Sequence, residues 1–207
     1  MSEDSMSLRG RIAVIGWGSL IWDLDDLAPK VEGPWRMGGG PVLPMEFSRV
    51  SPKRLQALAV CLDPKYGDPC QTNAIVSLRN DIHEAAEDLR ARERAQRIDQ
   101  IGLVHPATGA LHTRIPELGP ILTEWCEATG AAGAVWTDLD DNFEKITGTP
   151  FTTANATAYL NGLTGASREE AVRYITLAPA ATDTPLRRAL KAQSWWQDEA
   201  AAVVGQV

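Results

Sequence analysis

Arg11-Ile-Ala-Val-Ile-Gly16, followed at once by Trp17-Gly-Ser-Leu-Ile-Trp22, sets a short apolar run against a turn built on two glycines. The run reads as a buried strand that stops at Gly16. Gly16 and Gly18 on either side of a bulky residue allow φ > 0 and close approach of a ligand to the backbone. Such a turn can aim successive backbone N–H groups at an anion or a developing oxyanion. Three common motifs fail on spelling. A nucleophile elbow and a dinucleotide-binding fingerprint both need glycine where Ile21 stands. A P-loop needs a lysine that this turn lacks. Ser19 has no marked histidine partner and reads as a positioning group rather than a nucleophile. A plain structural reading stands beside the functional one: a tight turn at a strand end, with Trp17 and Trp22 in the core.

Working outward, strand-like runs follow at 42–50, 55–62 and 72–78, separated by Ser51-Pro52 and by the Pro64–Pro69 turn. Asn80 is placed to cap a helix over 81–96, and further strands are expected at 98–104 and 132–139. From Pro116 the chain is mostly helical, with helices expected at 116–128, 152–161, 167–176 and 184–204. Strands, one helix, then strands again predict an α+β domain on an antiparallel sheet or barrel, not a βαβ repeat. Residues 1–10 read as a loose tail, 11–149 as the core and 150–207 as a helical extension. That extension is expected to pack on the core, with a small satellite as the alternative.

The chain has 207 residues, 44% hydrophobic and 23% charged, with a formal net charge of −7. That balance argues against non-specific nucleic-acid binding. No apolar run approaches the roughly 18 residues that span a bilayer. The polar start MSEDSMSLRGR is no secretory signal. Cys61, Cys70 and Cys126 are too few and too scattered for a disulfide framework, which fits reduced thiols and a cytoplasmic setting. His83, His105 and His112 show no ligand spacing with each other or with those cysteines, so no protein-ligated metal is expected.

Helical periodicity supplies a second clue. With Ile82 at zero and ~100° per residue, Ala86 falls near ~40°, Leu89 near ~340° and Glu93 near ~20°. By the same step Glu84, Glu87 and Asp88 lie near ~200°, ~140° and ~240°, toward solvent. Glu93 therefore sits on the apolar stripe, where a carboxylate carries a partner or a task because ionised burial is costly. The surrounding Arg90, Arg92, Arg94 and Arg97 give the alternative reading, a solvated charge cluster.

Together, Gly16–Trp22 and Leu89-Arg-Ala-Arg-Glu93 resemble the γ-glutamylcyclotransferase family, with Leu43–Arg49 and Leu58–Leu62 similar to its second and third strands. The resemblance covers roughly residues 11–105. It implies a small mixed β-barrel with flanking helices, here extended by a helical C-terminal tail. It also implies cofactor-free cyclisation of a γ-glutamyl group to 5-oxoproline with release of an amine or peptide. By this resemblance Gly16, Trp17, Gly18, Ser19 and Leu20 would cradle the γ-glutamyl moiety, and Glu93 would be the general acid/base. If Glu93 is that acid/base, Glu93→Gln is expected to keep the fold, since the amide is nearly isosteric and removes a costly charge. The expected partner is a small γ-glutamyl substrate, with no nucleic acid and no membrane. Two departures stand out: Trp17 replaces a tyrosine common in the family, and no aromatic follows Glu93. The alternative from another class is a silent domain of the same fold that binds a small metabolite or a protein partner. Exposed Trp195 and Trp196 rings would favour it.

Overall fold

The computed structural model describes residues 7–205. Strands β1 (Ile12–Gly16), β2 (Val31–Arg36), β3 (Val42–Ser51), β4 (Ala57–Leu62), β5 (Asp68–Gln71) and β6 (Asn73–Ser77) come first. Helix α1 (Ile82–Glu93), β7 (Ile101–His105), β8 (Ala110–His112), α2 (Leu118–Thr129) and β9 (Gly133–Thr137) follow. The chain then becomes helical: α3 (Phe143–Thr147), α4 (Thr153–Gly162), α5 (Gly165–Leu177), α6 (Pro185–Leu190) and α7 (Ser194–Val204). This is the α+β class expected. Residues up to Val42 and Gln71–Leu139 make one compact unit; Leu43–Cys70 and the chain from Asp140 make another. Of the stretch read as a tail, residues 1–6 lie outside the described residues. Leu8 is buried, and Arg9 bridges Ala131.

In the first unit the strand order is β2-β6-β1-β9-β7-β8. β1 runs antiparallel to β6 and parallel to β9, with Ile15 opposite Trp136. All five β1 residues are buried, as an unbroken apolar run between two neighbours requires. The sheet is open, edged by β2 and β8, and no closed barrel forms among the described residues. The remaining strands form a separate sheet, β4-β3-β5. β2 lies in the stretch 17–40, which is rich in Gly, Pro, Asp and Trp and gives no strand signal. An edge strand tolerates a proline that donates nothing to the ladder, and the β2–β6 register does shift between Glu32 and Arg36.

Helix α1 lays Ile82, Ala85, Ala86 and Leu89 on a core with Ile12, Val14, Ile101, Leu103 and Val135. Its cap is Asp81, not Asn80: the Asp81 carboxylate accepts from the N–H groups of His83 and Glu84 at 2.8 and 3.1 Å. The helix stops at Glu93, three residues before the expected end. Arg94 takes the left-handed conformation, with φ of 55°. Its N–H reaches the Ala91 carbonyl at 3.0 Å, and the Ala95 N–H reaches Arg90 at 3.1 Å. This is a Schellman ending without its usual glycine, so the stop left no glycine to read.

In the second unit the tail expected as one helix over 184–204 is two, α6 and α7. Thr184 and Pro185 start α6 as their types predict, the threonine hydroxyl accepting the Arg187 N–H at 3.2 Å. Trp196 is buried and meets Trp195 edge-to-face at 5.5 Å, while Arg168 of α5 lies 4.4 Å from the centre of the Trp195 ring. These rings anchor α7 to its own unit.

Glu46 of β3 is fully buried. Its carboxyl accepts the Phe47 N–H at 2.7 Å and the Leu186 N–H at 3.0 Å. Desolvation pushes its pKa up to about 7, against bonds from Thr184, Phe47 and Leu186 that favour the ionised form. A raised folded pKa means the stabilising contribution is complete below about 4.5 and lost as pH rises through about 7. Wild-type unfolding free energy should therefore fall by roughly 3 kcal/mol between those limits. Urea titrations across pH 4.5–8 of wild type and Glu46→Gln check this: the glutamine variant should lose that slope. It should also be less stable at pH 5, because its NH2 cannot accept from one of the two N–H groups. A slope that persists in the variant rules the assignment out.

Candidate functional site

β1 gives way to the glycine turn at a place where two different constraints act. A Cβ on Gly16 would fall 2.3 Å from Cη2 of the half-buried Trp35. Gly16 thus makes room for an indole and has no positive φ. Gly18 is the conformational glycine, with φ of 55°. From it the chain winds one 3₁₀ turn, Gly18–Ile21, and the Ser19 carbonyl accepts the N–H groups of Trp22 and Asp23 at 3.2 and 2.9 Å. Trp17, extended at the head of this turn, gives it no side-chain cap. Trp17, Gly18, Ser19 and Leu20 are all buried.

The last turn of α1 belongs to the same site. The Arg92 side chain is 1% exposed, and its Nη1 donates to Glu93 Oε1 at 2.9 Å. Its Nη2 reaches Ser19 Oγ at 3.5 Å and also donates to the Asp23 carbonyl. One buried guanidinium thus ties the Glu93 carboxylate to the glycine turn. The Glu93 side chain remains 15% exposed. The predicted acid/base and the predicted cradle, about seventy residues apart in sequence, share this cation.

Periodicity misjudged which charges are buried. The buried face of α1 consists of Ile82, Ala85, Ala86, Asp88, Leu89 and Arg92, with Glu93 at its border. Asp88, expected in solvent, is buried between Lys30 at 2.9 Å and Arg79 at 2.6 Å. Those two cations hold its carboxyl below the usual carboxylate range against the opposing effect of burial. Hydrophobicity alone carries no signal for such paired charges. The contact between the buried Arg92 and Glu93 argues against the expectation that Glu93→Gln leaves the fold intact. That change strips a counter-charge from a buried guanidinium, a loss on the order of 3 kcal/mol.

Two neighbours of the turn, Trp35 and Asn73, escaped sequence reasoning, and Arg92, expected in a solvated charge cluster, is buried. Asn73 alone left a trace, as an amide within the apolar strand run 72–78, where asparagine is disfavoured.

Elsewhere the chemistry is muted. Cys61, Cys70 and Cys126 are buried, and burial pushes the Cys70 thiol to about 11 and the Cys126 thiol to about 12. Neither of those two is a thiolate nucleophile at neutral pH. No group of three His, Cys, Asp or Glu side chains among the described residues is arranged to hold a metal ion. In the second unit a cavity of about 870 Å³ is lined by Leu55, Arg168, Glu170, Arg173 and Val203. Of its lining residues, Arg168 pairs with Glu199 at 2.7 Å and Glu170 with Arg54 at 2.8 Å. Among the described residues no helix is long and apolar enough to cross a membrane. Neither family models nor curated proteins nor solved structures match this chain.

Proposed function

We propose that the first unit carries a γ-glutamylcyclotransferase-like site, with Glu93 as general acid/base and Gly16–Leu20 as the backbone cradle. The supporting observation is the Arg92 guanidinium, which binds the Glu93 carboxylate on one side and Ser19 and Asp23 of the turn on the other. A carboxylate and a set of backbone donors on one rigid linkage are what an intramolecular amide cyclisation needs. The mixed barrel that the family resemblance implies belongs to this proposal and not to the sheet described above.

The chemistry runs through these residues as follows. The turn's backbone holds the γ-glutamyl group, and Glu93 takes a proton from the substrate's α-ammonium. The freed nitrogen attacks the γ-carbonyl, forming the ring C–N bond, while backbone donors meet the oxyanion. The tetrahedral centre collapses with cleavage of the original amide. Glu93 returns its proton to the departing amine nitrogen, the ring nitrogen gives up its second ammonium-derived proton to solvent, and 5-oxoproline is left.

Wild-type protein incubated with a panel of γ-glutamyl amines and peptides, followed by 5-oxoproline release, tests the reading. No release across the panel removes it. A second reading is favoured by the same ion pair: Glu93 engaged by Arg92 also suits a domain that binds a γ-glutamyl compound without turnover. Saturable binding with no product would select that reading.

Ser19 has a positioning role in either case. Its 3.5 Å contact with Arg92 is at the limit of a hydrogen bond and contributes at most about 1.5 kcal/mol, roughly tenfold in rate. Ser19→Ala should slow turnover by no more than that. A covalent adduct trapped on Ser19 would overturn the assignment.

A further inference from the structure

Asn73 opens β6 directly opposite Gly16 and is almost completely buried. Its Nδ2 donates to the Gly16 carbonyl at 3.3 Å, and its Oδ1 accepts the Gly38 N–H at 2.9 Å. Both partners are backbone groups of fixed sense, so the carboxamide has one orientation that satisfies them. The Gly38 side is itself pinned. Gly39 N–H bonds to the Arg36 carbonyl at 2.9 Å, and Gly40 N–H to Thr72 at 3.1 Å. The Gly39 carbonyl accepts from Trp125 Nε1 at 3.1 Å, and the Gly40 carbonyl from Gln71 Nε2 at 2.5 Å. Asn73 therefore spans an anchored glycine turn and the first carbonyl of the candidate cradle.

We propose that Asn73 is a positioning residue whose carboxamide, held between Gly38 and Gly16, sets the peptide plane from which the Gly16–Leu20 cradle starts. The peptide is planar and trans, so fixing the Gly16 carbonyl also fixes the direction of the Trp17 N–H. The buried 3₁₀ turn follows from that plane. This inference rests on the reading that the turn holds the reacting γ-glutamyl group. A displacement of about 1 Å in such a group costs about 10²-fold in rate.

The informative variant is Asn73→Asp. It keeps an acceptor for Gly38 but, when ionised, sets an oxygen against the Gly16 carbonyl oxygen; when protonated, it regains the donor. Its kcat should fall about 30- to 100-fold at pH 8 with KM changed by less than about threefold, and the deficit should shrink as pH falls toward 5. Asn73→Ala should show a kcat loss without that pH recovery. Hydrogen exchange separates this inference from the functional reading. In Asn73→Asp, amides of 16–22 should exchange faster at pH 8 than in wild type, while those of 83–91 stay unchanged. If wild type releases 5-oxoproline, a kcat within about threefold of wild type in Asn73→Asp, or a deficit that does not change with pH, overturns the inference. If wild type releases none, the cyclotransferase reading falls. Exchange then decides: loss of protection confined to 16–22 upholds Asn73 as the residue that positions the turn, and unchanged protection overturns it.

Discussion

Glu93→Gln should lower 5-oxoproline release by ~10²–10⁴-fold, the range over which positioned acid/base groups act. The structure makes this a two-part experiment. Arg92 is 1% exposed, and Glu93 supplies it with a counter-charge at 2.9 Å, so the single substitution also destabilises the fold, on the order of 3 kcal/mol. A loss of product alone would not separate chemistry from unfolding. Rates should be compared below the melting transition of each variant, with Glu93→Asp as a second probe. Aspartate keeps the charge and the guanidinium contact but withdraws the proton carrier by one methylene. It should therefore melt closer to wild type than the glutamine variant does, yet still lose at least roughly tenfold in kcat. Turnover that survives both substitutions within about threefold, well inside that range, would place the acid/base elsewhere.

Gly18→Val should weaken binding of a γ-glutamyl compound by roughly 10- to 100-fold, since holding a non-glycine residue at such a dihedral costs about 1–3 kcal/mol. The cause is local. Gly18 has φ of 55°, a β-branched side chain is especially ill-suited there, and the buried residues Ser19 and Leu20 follow at once. Gly18→Ala should give a smaller loss of the same sign. Tryptophan fluorescence reports the titration, because Trp17 lies within the turn and Trp35 against it. A valine variant that binds as wild type does would mean that the turn is no cradle.

How much of this was legible beforehand differs from element to element. The run from Arg11 to Gly16 and the turn after it were readable because an apolar strand and a pair of glycines are local signals. The class followed from the order of such segments, and the Thr184-Pro185 helix start from its chemistry. The end of α1 was not readable, because Arg94 takes a conformation that glycine normally announces. β2 was hidden because an edge strand accepts the Gly33-Pro34 interruption that a central strand would not.

Sequence by itself determined the α+β composition, the first strand with its glycine turn, and Glu93 as a carboxylate near an apolar helix face. Tertiary structure alone decided that the strands divide between an open six-stranded sheet and a three-stranded one. It alone also decided that Arg92 is the most deeply buried charge of α1 and that Gly16 is bare for the sake of Trp35. The physical reason is the same in each case. Periodicity and propensity report the free energy of a residue with its near neighbours in sequence. A buried arginine, a paired Asp88 and a glycine under an indole are set by partners far along the chain, whose charge and shape offset a cost that hydrophobicity registers as prohibitive.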